Sequence, residues 1–243
     1  MPELTLLRSL VPEKENDLFL VGDPFQNIYG RPINFSKSGI NIRGRRSRKL
    51  KVNYRTTEEI KKRAVSILMG EHSDDSDGDE ESTDGYVSLV HGQNPQYSVF
   101  DSFELEESFI YEEINTLLQN GHVKPSKICI ASRTNKQIDD IKTMLNTLGF
   151  KYADIQSTRK NEGSIVVSTF HNLKGSEFKH LFEKGVDKDR VPFKHPEFDS
   201  YTDVQLKDYL KQEKLWYYVV FSRAIQTLIV TGVGEKSDWM ENA

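Results

Sequence analysis

The sequence predicts an α/β fold in which a parallel sheet carries helices on both faces. Three observations support this prediction: short apolar runs of strand length, longer segments with helical periodicity between them, and turn residues at their boundaries. The 243 residues are 36% hydrophobic and 29% charged, which is ordinary for a globular chain that buries a sizeable core. Strands separated by helices of this length are typical of parallel βαβ units.

Six runs are predicted to be strands, at residues 18–21, 50–53, 86–90, 128–131, 164–168 and 228–231. The first ends at Gly22-Asp23-Pro24, a turn signal after a buried strand. Four segments are predicted to be helices, at residues 58–69, 105–118, 136–148 and 204–221. Thr56 or Thr57 is expected to cap the first of these helices.

An acidic, low-complexity segment interrupts this pattern at residues 71–85. It contains eight carboxylates and no Lys or Arg, whereas the rest of the chain has 33 basic and 29 acidic residues. The segment is predicted to be a mobile, solvated loop. Its Asp spacing is reminiscent of a calcium loop, but the required register with a Glu six residues later is not met. We therefore expect no metal site there, and the basic excess elsewhere is compatible with a polyanionic partner.

Several classes of protein are disfavoured by the composition. No apolar run approaches the roughly 18 residues needed to cross a bilayer, and the N-terminal residues lack the pattern of a signal peptide. The single cysteine, Cys129, lies in an apolar run and is predicted to be a buried thiol in a reducing compartment. We therefore expect a cytoplasmic chain with no membrane partner.

Polar clusters follow the predicted strands, at the edge where parallel sheets bind ligands. These clusters read GDPFQNIYG at 22–30, NYRTT at 53–57 and TFHNLKGSEF at 169–178, and a fourth, YVVFSRA at 218–224, ends the last helix. Any one of them is weak evidence, because a lone Arg is usually solvated and a lone His is usually structural.

Together, and in this order, the four clusters resemble the motifs that close a UvrD/Rep-like superfamily 1 DNA helicase. The resemblance covers about residues 6–231 and includes ICIASRTN at 128–135, which is similar to an element of the family's second motor domain. It implies a RecA-like domain of the P-loop NTPase type over residues 50–243. Residues 1–49 would then be the end of the first motor domain and a connector.

The resemblance also assigns roles in ATP hydrolysis. Gln26 would sense the γ-phosphate or the attacking water, and Arg55 and Arg223 would be arginine fingers, a role that suits a permanently charged, forked guanidinium. Tyr54 would stack on adenine and Glu177 would bind the ribose, with Lys174 and Gly175 shaping the turn. The alternative for Glu177 is a surface carboxylate that caps the next helix.

A single-stranded DNA track is implied by the same family. Thr169 and His171 match positions that touch the DNA backbone, and Tyr29 matches one that packs against a base. The GRPI that follows Tyr29 departs from the family's pattern. A basic run that includes Arg43, Arg45 and Arg46 either contacts DNA phosphates or is an exposed hinge, and both interpretations stay open.

Two elements needed for ATP hydrolysis do not occur in the sequence. There is no G-x-x-x-x-G-K-[ST] loop to cradle phosphates and no strand that ends in an Asp-Glu pair to hold Mg²⁺. We therefore expect ATP with Mg²⁺ to bind only in a longer parent protein, whose N-terminal motor domain would be a partner in cis. The chain alone is not expected to hydrolyse ATP.

The parent is expected to couple ATP hydrolysis to 3′-to-5′ movement on single-stranded DNA, as the resemblance implies. One alternative is a non-catalytic module that binds nucleic acid or docks a partner. A helicase–nuclease is disfavoured, because the only acidic residues after Thr231 are Glu235, Asp238 and Glu241.

Overall fold

The computed structural model describes residues 2–28, 34–42, 46–48, 50–68, 73–74, 80–81, 86–119, 121–160 and 162–240. Its helices are α1 (Pro2–Leu10), α2 (Glu58–Ser66), α3 (Phe103–Gln119), α4 (Asn135–Thr147) and α5 (Asp203–Phe221). The strands are β1 (Val52–Asn53), β2 (Ser73–Asp74), β3 (Glu80–Glu81), β4 (Val87–Ser88), β5 (Gln96–Phe100), β6 (Ile128–Ser132), β7 (Tyr152–Asp154), β8 (Ile165–Thr169), β9 (Phe178–Lys184) and β10 (Ala224–Val233).

A six-stranded parallel sheet with the order β5-β10-β9-β6-β8-β7 organises the described residues. In the middle of the sheet, Leu181 of β9 lies opposite Leu228 on one side and Cys129 on the other. Because all the strands run the same way, their carboxyl ends share one edge, where polar groups that follow the strands are brought together. The predicted parallel α/β sheet is confirmed.

Helices cover both faces of this sheet. Alternate residues of β6 belong to two separate cores: Ile128 and Ile130 pack with α3 and α4, whereas Cys129 and Ala131 pack with α2 and α5. This alternation follows from the two-residue period of a strand. Side chains of β6 and β8 are buried on both faces, which explains why both strands appear as continuous apolar runs in the sequence.

The helices begin where the sequence provides caps. Thr57, one of the two predicted caps of α2, accepts a hydrogen bond from the Ile60 amide at the start of this helix. Thr134 and Thr202 form capping boxes with the Gln three positions later, so α4 and α5 each start with two satisfied backbone donors. Gly232 lies near the carboxyl end of β10. A Cβ on Gly232 would lie 2.3 Å from the Val186 carbonyl oxygen, so the backbones of β10 and of the turn after β9 approach closely there.

Several sequence-based predictions need correction. Residues 18–21 form no strand: Phe19 is 90% exposed and Val21 is 74% exposed, because no strand among the described residues pairs with them. The prediction at 50–53 holds only for β1, which pairs with β4 outside the main sheet. Three strands of the main sheet, β5, β7 and β9, were not predicted. The segment at 71–85 lies outside the described residues, apart from β2 and β3, which pair antiparallel.

Within the described residues, no helix is both long and apolar enough to cross a bilayer.

Candidate functional site

The turn that carries Gln26 is held against α5. The Asp23 carboxylate accepts hydrogen bonds from the Phe25 amide and from Gln26 Nε2, each at 3.0 Å, and from the Tyr218 hydroxyl at 3.4 Å. The Phe25 ring is buried with its centroid 5.7 Å from that of Tyr218. Gln212 of α5 donates to the Ile28 carbonyl oxygen at 2.6 Å. Asp23, which the sequence analysis did not single out as a site residue, therefore orients Gln26.

Arg55 is brought to Glu177 across a long sequence separation. The Arg55 Nη1 lies 2.7 Å from Glu177 Oε1, and each side chain is about 40% exposed. The turn that presents Arg55 is organised by Asn53, whose Oδ1 accepts from the Arg55 amide at 2.7 Å and whose amide donates to Thr56 at 2.7 Å. An ion pair this exposed is worth little energy, so a stronger anion could replace Glu177 as the partner of Arg55.

Arg223 lies just beyond the end of α5 and is 3% exposed. Its Nε donates to the Val219 carbonyl oxygen at 3.0 Å and its Nη2 to the Ser222 hydroxyl at 3.1 Å. Burial lowers the pKa of Arg223, the positive charge of Arg55 lowers it further, and Glu177 and Asp23 oppose the change. Two neighbouring guanidiniums that share so few negative partners form a site that favours an anion.

Lys174, Gly175 and Tyr54 complete the predicted nucleotide set. The Lys174 ammonium reaches the Gln26 carbonyl oxygen at 3.4 Å, so the loop after β8 contacts the turn on α5. Gly175 has a φ of +83°, a left-handed conformation that lets the chain turn into β9. Tyr54 is 72% exposed, which leaves its ring accessible beside Arg55. The structure thus brings Gln26, Arg55, Arg223, Lys174 and Glu177 together beside the amino ends of β9 and β10, and not at the carboxyl edge that the sequence predicted.

Thr169 and His171 lie at the carboxyl end of β8. Thr169 is buried, whereas His171 is exposed in the turn that follows and its ring centroid lies 4.1 Å from that of Trp216. Burial lowers the pKa of His171, and the nearby charge of Arg133 lowers it further. His171 is therefore neutral at pH 7 and can offer a hydrogen bond but no charge to a phosphate backbone.

Arg133 is a partly buried charged residue that the sequence analysis placed in a motif but not in the site. Its Nη2 and Nε lie 2.6 Å and 3.1 Å from the two carboxylate oxygens of Glu213. The guanidinium also lies between the rings of Phe170, Phe193 and Trp216, at 6.0, 5.3 and 5.7 Å from their centroids. This contact ties the end of β6 to the middle of α5. Its position directly after an apolar strand is the sequence signal for it.

The remaining predicted site residues are less informative. Tyr29, Arg43 and Arg45 lie outside the described residues, and Arg46 is exposed. Phosphate contact and exposed hinge therefore both remain open for this basic run. Among the described residues, no group of three or more His, Cys, Asp or Glu side chains could hold a metal ion.

Comparison with known proteins shows what the domain is similar to. Residues 48–159 match the family model of the UvrD-like helicase C-terminal domain. These residues are therefore similar to a UvrD-like helicase C-terminal domain. Curated relatives of this chain include the mitochondrial ATP-dependent DNA helicase HMI1 of Saccharomyces cerevisiae, 32% identical over 153 residues, and the "Probable DNA helicase II homolog" of Mycoplasma pneumoniae, 29% identical over 152 residues.

The match to these relatives is partial. It covers 59% of this chain in both cases, but 22% and 21% of the relatives, so the chain spans about a fifth of their length. The C-terminal domain of a possible DNA helicase from Lactobacillus plantarum has a similar structure, with a TM-score of 0.54 and 16% identity. That similarity covers 78% of this chain and 93% of the other, and it shows that the two share a fold, a parallel α/β sheet of the RecA-like type.

Proposed function

We propose that this chain supplies one half of the ATP site of an ATP-dependent DNA helicase, and that the enzyme moves 3′ to 5′ along single-stranded DNA. The observation that carries the proposal is the convergence of Arg55 and Arg223 beside the Gln26 turn. Phosphoryl transfer is catalysed mainly by positioning and by neutralising charge on the γ-phosphate. Two forked cations and an oriented amide suit that task.

The other half of the site would come from an N-terminal motor domain in cis. That domain would supply the phosphate-cradling loop and the Asp-Glu pair that holds Mg²⁺ with ATP. The exposed apolar residues at 18–21 support this arrangement, because Phe19 and Val21 would be buried by pairing with the sheet of such a domain. The UvrD-like chain alone would therefore hydrolyse no ATP.

Each residue of this half-site has a distinct proposed task. When the γ-phosphate arrives, it would replace Glu177 as the partner of Arg55, and Arg223 would donate to the same group. The Glu177 carboxylate would then accept a hydrogen bond from the ribose. Tyr54 would stack on adenine, and Lys174 would keep the Gly175 turn against the Gln26 backbone.

The DNA track would run along the edge of the sheet that carries Thr169 and His171. Because His171 is neutral, its contact would be a hydrogen bond, and the electrostatic part of binding would come from the basic run that includes Arg43, Arg45 and Arg46. Binding of DNA to this chain by itself would be weak and steeply dependent on salt. Tyr29 would contribute a stacking contact.

Steady-state ATPase kinetics of the full-length parent, with saturating single-stranded DNA, test the proposal. Arg223→Ala and Arg55→Ala are each expected to lower kcat by about 10³-fold, the scale of a lost arginine finger. Lysine at either position should not rescue activity, since one ammonium cannot reproduce a two-pronged contact. Glu177→Ala should instead raise KM for ATP, because a ribose contact is equally strong in the ground and transition states.

Lys62→Ala is a matched control, since Lys62 is a 73% exposed cation on α2 outside the proposed site. The assignment of roles is wrong if Arg223→Ala changes only KM while Glu177→Ala abolishes turnover. ATPase activity of the isolated chain that is lost on Arg223→Ala would also contradict the proposal.

A further inference from the structure

A second cleft lies away from the candidate ATP site, between α2, the edge strand β5 and the C-terminal turn at Asp238–Met240. Its volume is about 470 Å³, which is within the range of small-molecule sites. The residues that line it include Arg63, Tyr97, Val230, Lys236 and Met240. Among the described residues that line it, none is acidic.

Arg63 is the unusual member of this cleft. It is 6% exposed, and no carboxylate of the described residues lies within ion-pair distance of it. Its Nη2 donates to the Met240 carbonyl oxygen at 3.4 Å and contacts the Met240 sulfur at 2.8 Å, and its Nη1 reaches Ser66 at 3.4 Å. Burial lowers the pKa of Arg63, because these neutral partners do not compensate the lost hydration of a cation.

The contrast with Arg133 shows what Arg63 lacks. Arg133 is comparably enclosed, but both oxygens of Glu213 face its guanidinium. Burying a cation with no anionic neighbour raises the free energy of the folded chain. A ligand that supplied the missing negative charge would remove this penalty when it binds.

Lys236 adds a second positive charge at the mouth of the cleft. It is exposed, and its ammonium lies 5.8 Å from the centroid of the Tyr97 ring. That ring is fixed, because the Tyr97 hydroxyl donates to the Val186 carbonyl oxygen and accepts from the Ser237 amide, each at 3.0 Å. The cleft therefore offers a buried guanidinium and an exposed ammonium.

We propose that this cleft binds the phosphate group of a small ligand, with the Arg63 guanidinium inside and the Lys236 ammonium at the mouth. A guanidinium suits a phosphate because its forked donors match two oxygens at once. The remaining volume would hold a small organic portion against the Tyr97 and Val230 side chains. This inference does not depend on the proposed helicase function, since it uses neither Arg55 nor Arg223.

The test is a titration of the intact chain with inorganic phosphate at low salt, followed by ¹H–¹⁵N NMR. Amides of Gln96, Tyr97 and Lys236 should shift together and saturate. Lys236→Gln should weaken the affinity roughly fivefold, the effect of one charge near 4 Å in water, whereas Lys62→Gln, an exposed cation outside the cleft, should not. Arg63→Met should abolish the shifts without unfolding the chain, because methionine fills similar volume without a buried charge.

Four results would overturn the proposal. Shifts confined to Arg55, Lys174 and Glu177 would place phosphate at the candidate ATP site alone. Equal affinities of Lys236→Gln and Lys62→Gln would remove the cleft cation from the interaction. Acetate binding as tightly as phosphate would indicate a carboxylate site instead. Binding that appears only in Glu241→Gln, the acidic residue that follows Met240 in the sequence, would mean that the chain's own carboxylate neutralises Arg63.

Discussion

Replacing Glu213 by leucine is expected to destabilise the fold by about 3–5 kcal/mol, because the substitution leaves the largely buried Arg133 guanidinium without its counter-ion. Glu213 is 1% exposed and binds Arg133 through both carboxylate oxygens. The three aromatic rings around Arg133 leave its side chain 14% exposed, so solvent can replace only a small part of the lost carboxylate's interaction.

The double variant separates the charge effect from packing. Arg133→Met alone leaves a buried carboxylate and should cost a similar amount, about 3–5 kcal/mol. Arg133→Met combined with Glu213→Leu removes both charges and should return to within about 1–2 kcal/mol of the parent, since apolar replacement of a buried pair is often neutral. The two single effects are then strongly non-additive.

Urea unfolding followed by circular dichroism measures the free energy of unfolding of all four proteins. For a chain of this size, each kcal/mol also shifts Tm by about 2–4 °C. Single variants that lose less than about 1 kcal/mol, or a double variant that loses the sum of both single effects, would show that the pair is solvated and that our account of its burial is wrong.

Three further predictions use other parts of the molecule. Gly232→Ala should cost about 2–3 kcal/mol because its Cβ would overlap the Val186 backbone, while Gly163→Ala, with open space around its Cβ, should stay within about 0.5 kcal/mol in the same urea assay; equal effects would contradict the close approach. Burial raises the pKa of the Cys129 thiol, so a chromogenic disulfide reagent at pH 8 should not react with the native chain but should react fully in urea; rapid native labelling would refute this. Burial lowers the pKa of His171, so its ring should titrate below 6.5 by NMR. The stability that the neutral ring contributes should be complete above pH 6.5 and should be lost as the pH falls through the lowered pKa. A titration midpoint above 6.5 would be inconsistent with the packing of His171.

The sequence predicts best those elements whose signals are local. β6 and β8 are continuous apolar runs, and α5 has helical periodicity from Asp203 to Phe221, so all three were predicted nearly to the residue. β9 was missed because Lys179, Glu183 and Lys184 interrupt its apolar pattern. Burial of Lys184 depends on an ion pair with Glu106 of α3, and no local pattern reveals a partner so distant in sequence.

The same difference between local and long-range signals applies to the candidate site. Its members could be named from short motifs, but their pairing could not be predicted. Arg55 follows β1, whereas Glu177 and Arg223 come directly before β9 and β10, so the expectation that the site follows strand ends was wrong for these two residues. Arg55 and Glu177 form an ion pair although they are 122 positions apart in the sequence. The orienting role of Asp23 depends on the packing of its turn against Tyr218. Both features arise from tertiary structure alone.

The position of β10 in the sheet affects how the domain folds during its synthesis on the ribosome. β10 is the last of the described strands to be synthesised, yet it lies between β5 and β9 and pairs with both. Until it emerges, β5 has no neighbour in the sheet and β9 has one open edge made of residues that are buried in the final fold. Long-range parallel pairing of this kind forms slowly, and an unpaired apolar edge favours aggregation. A nascent chain stalled before Ala224 should therefore depend on chaperones, and release of residues 224–233 should allow the sheet to close around its last strand.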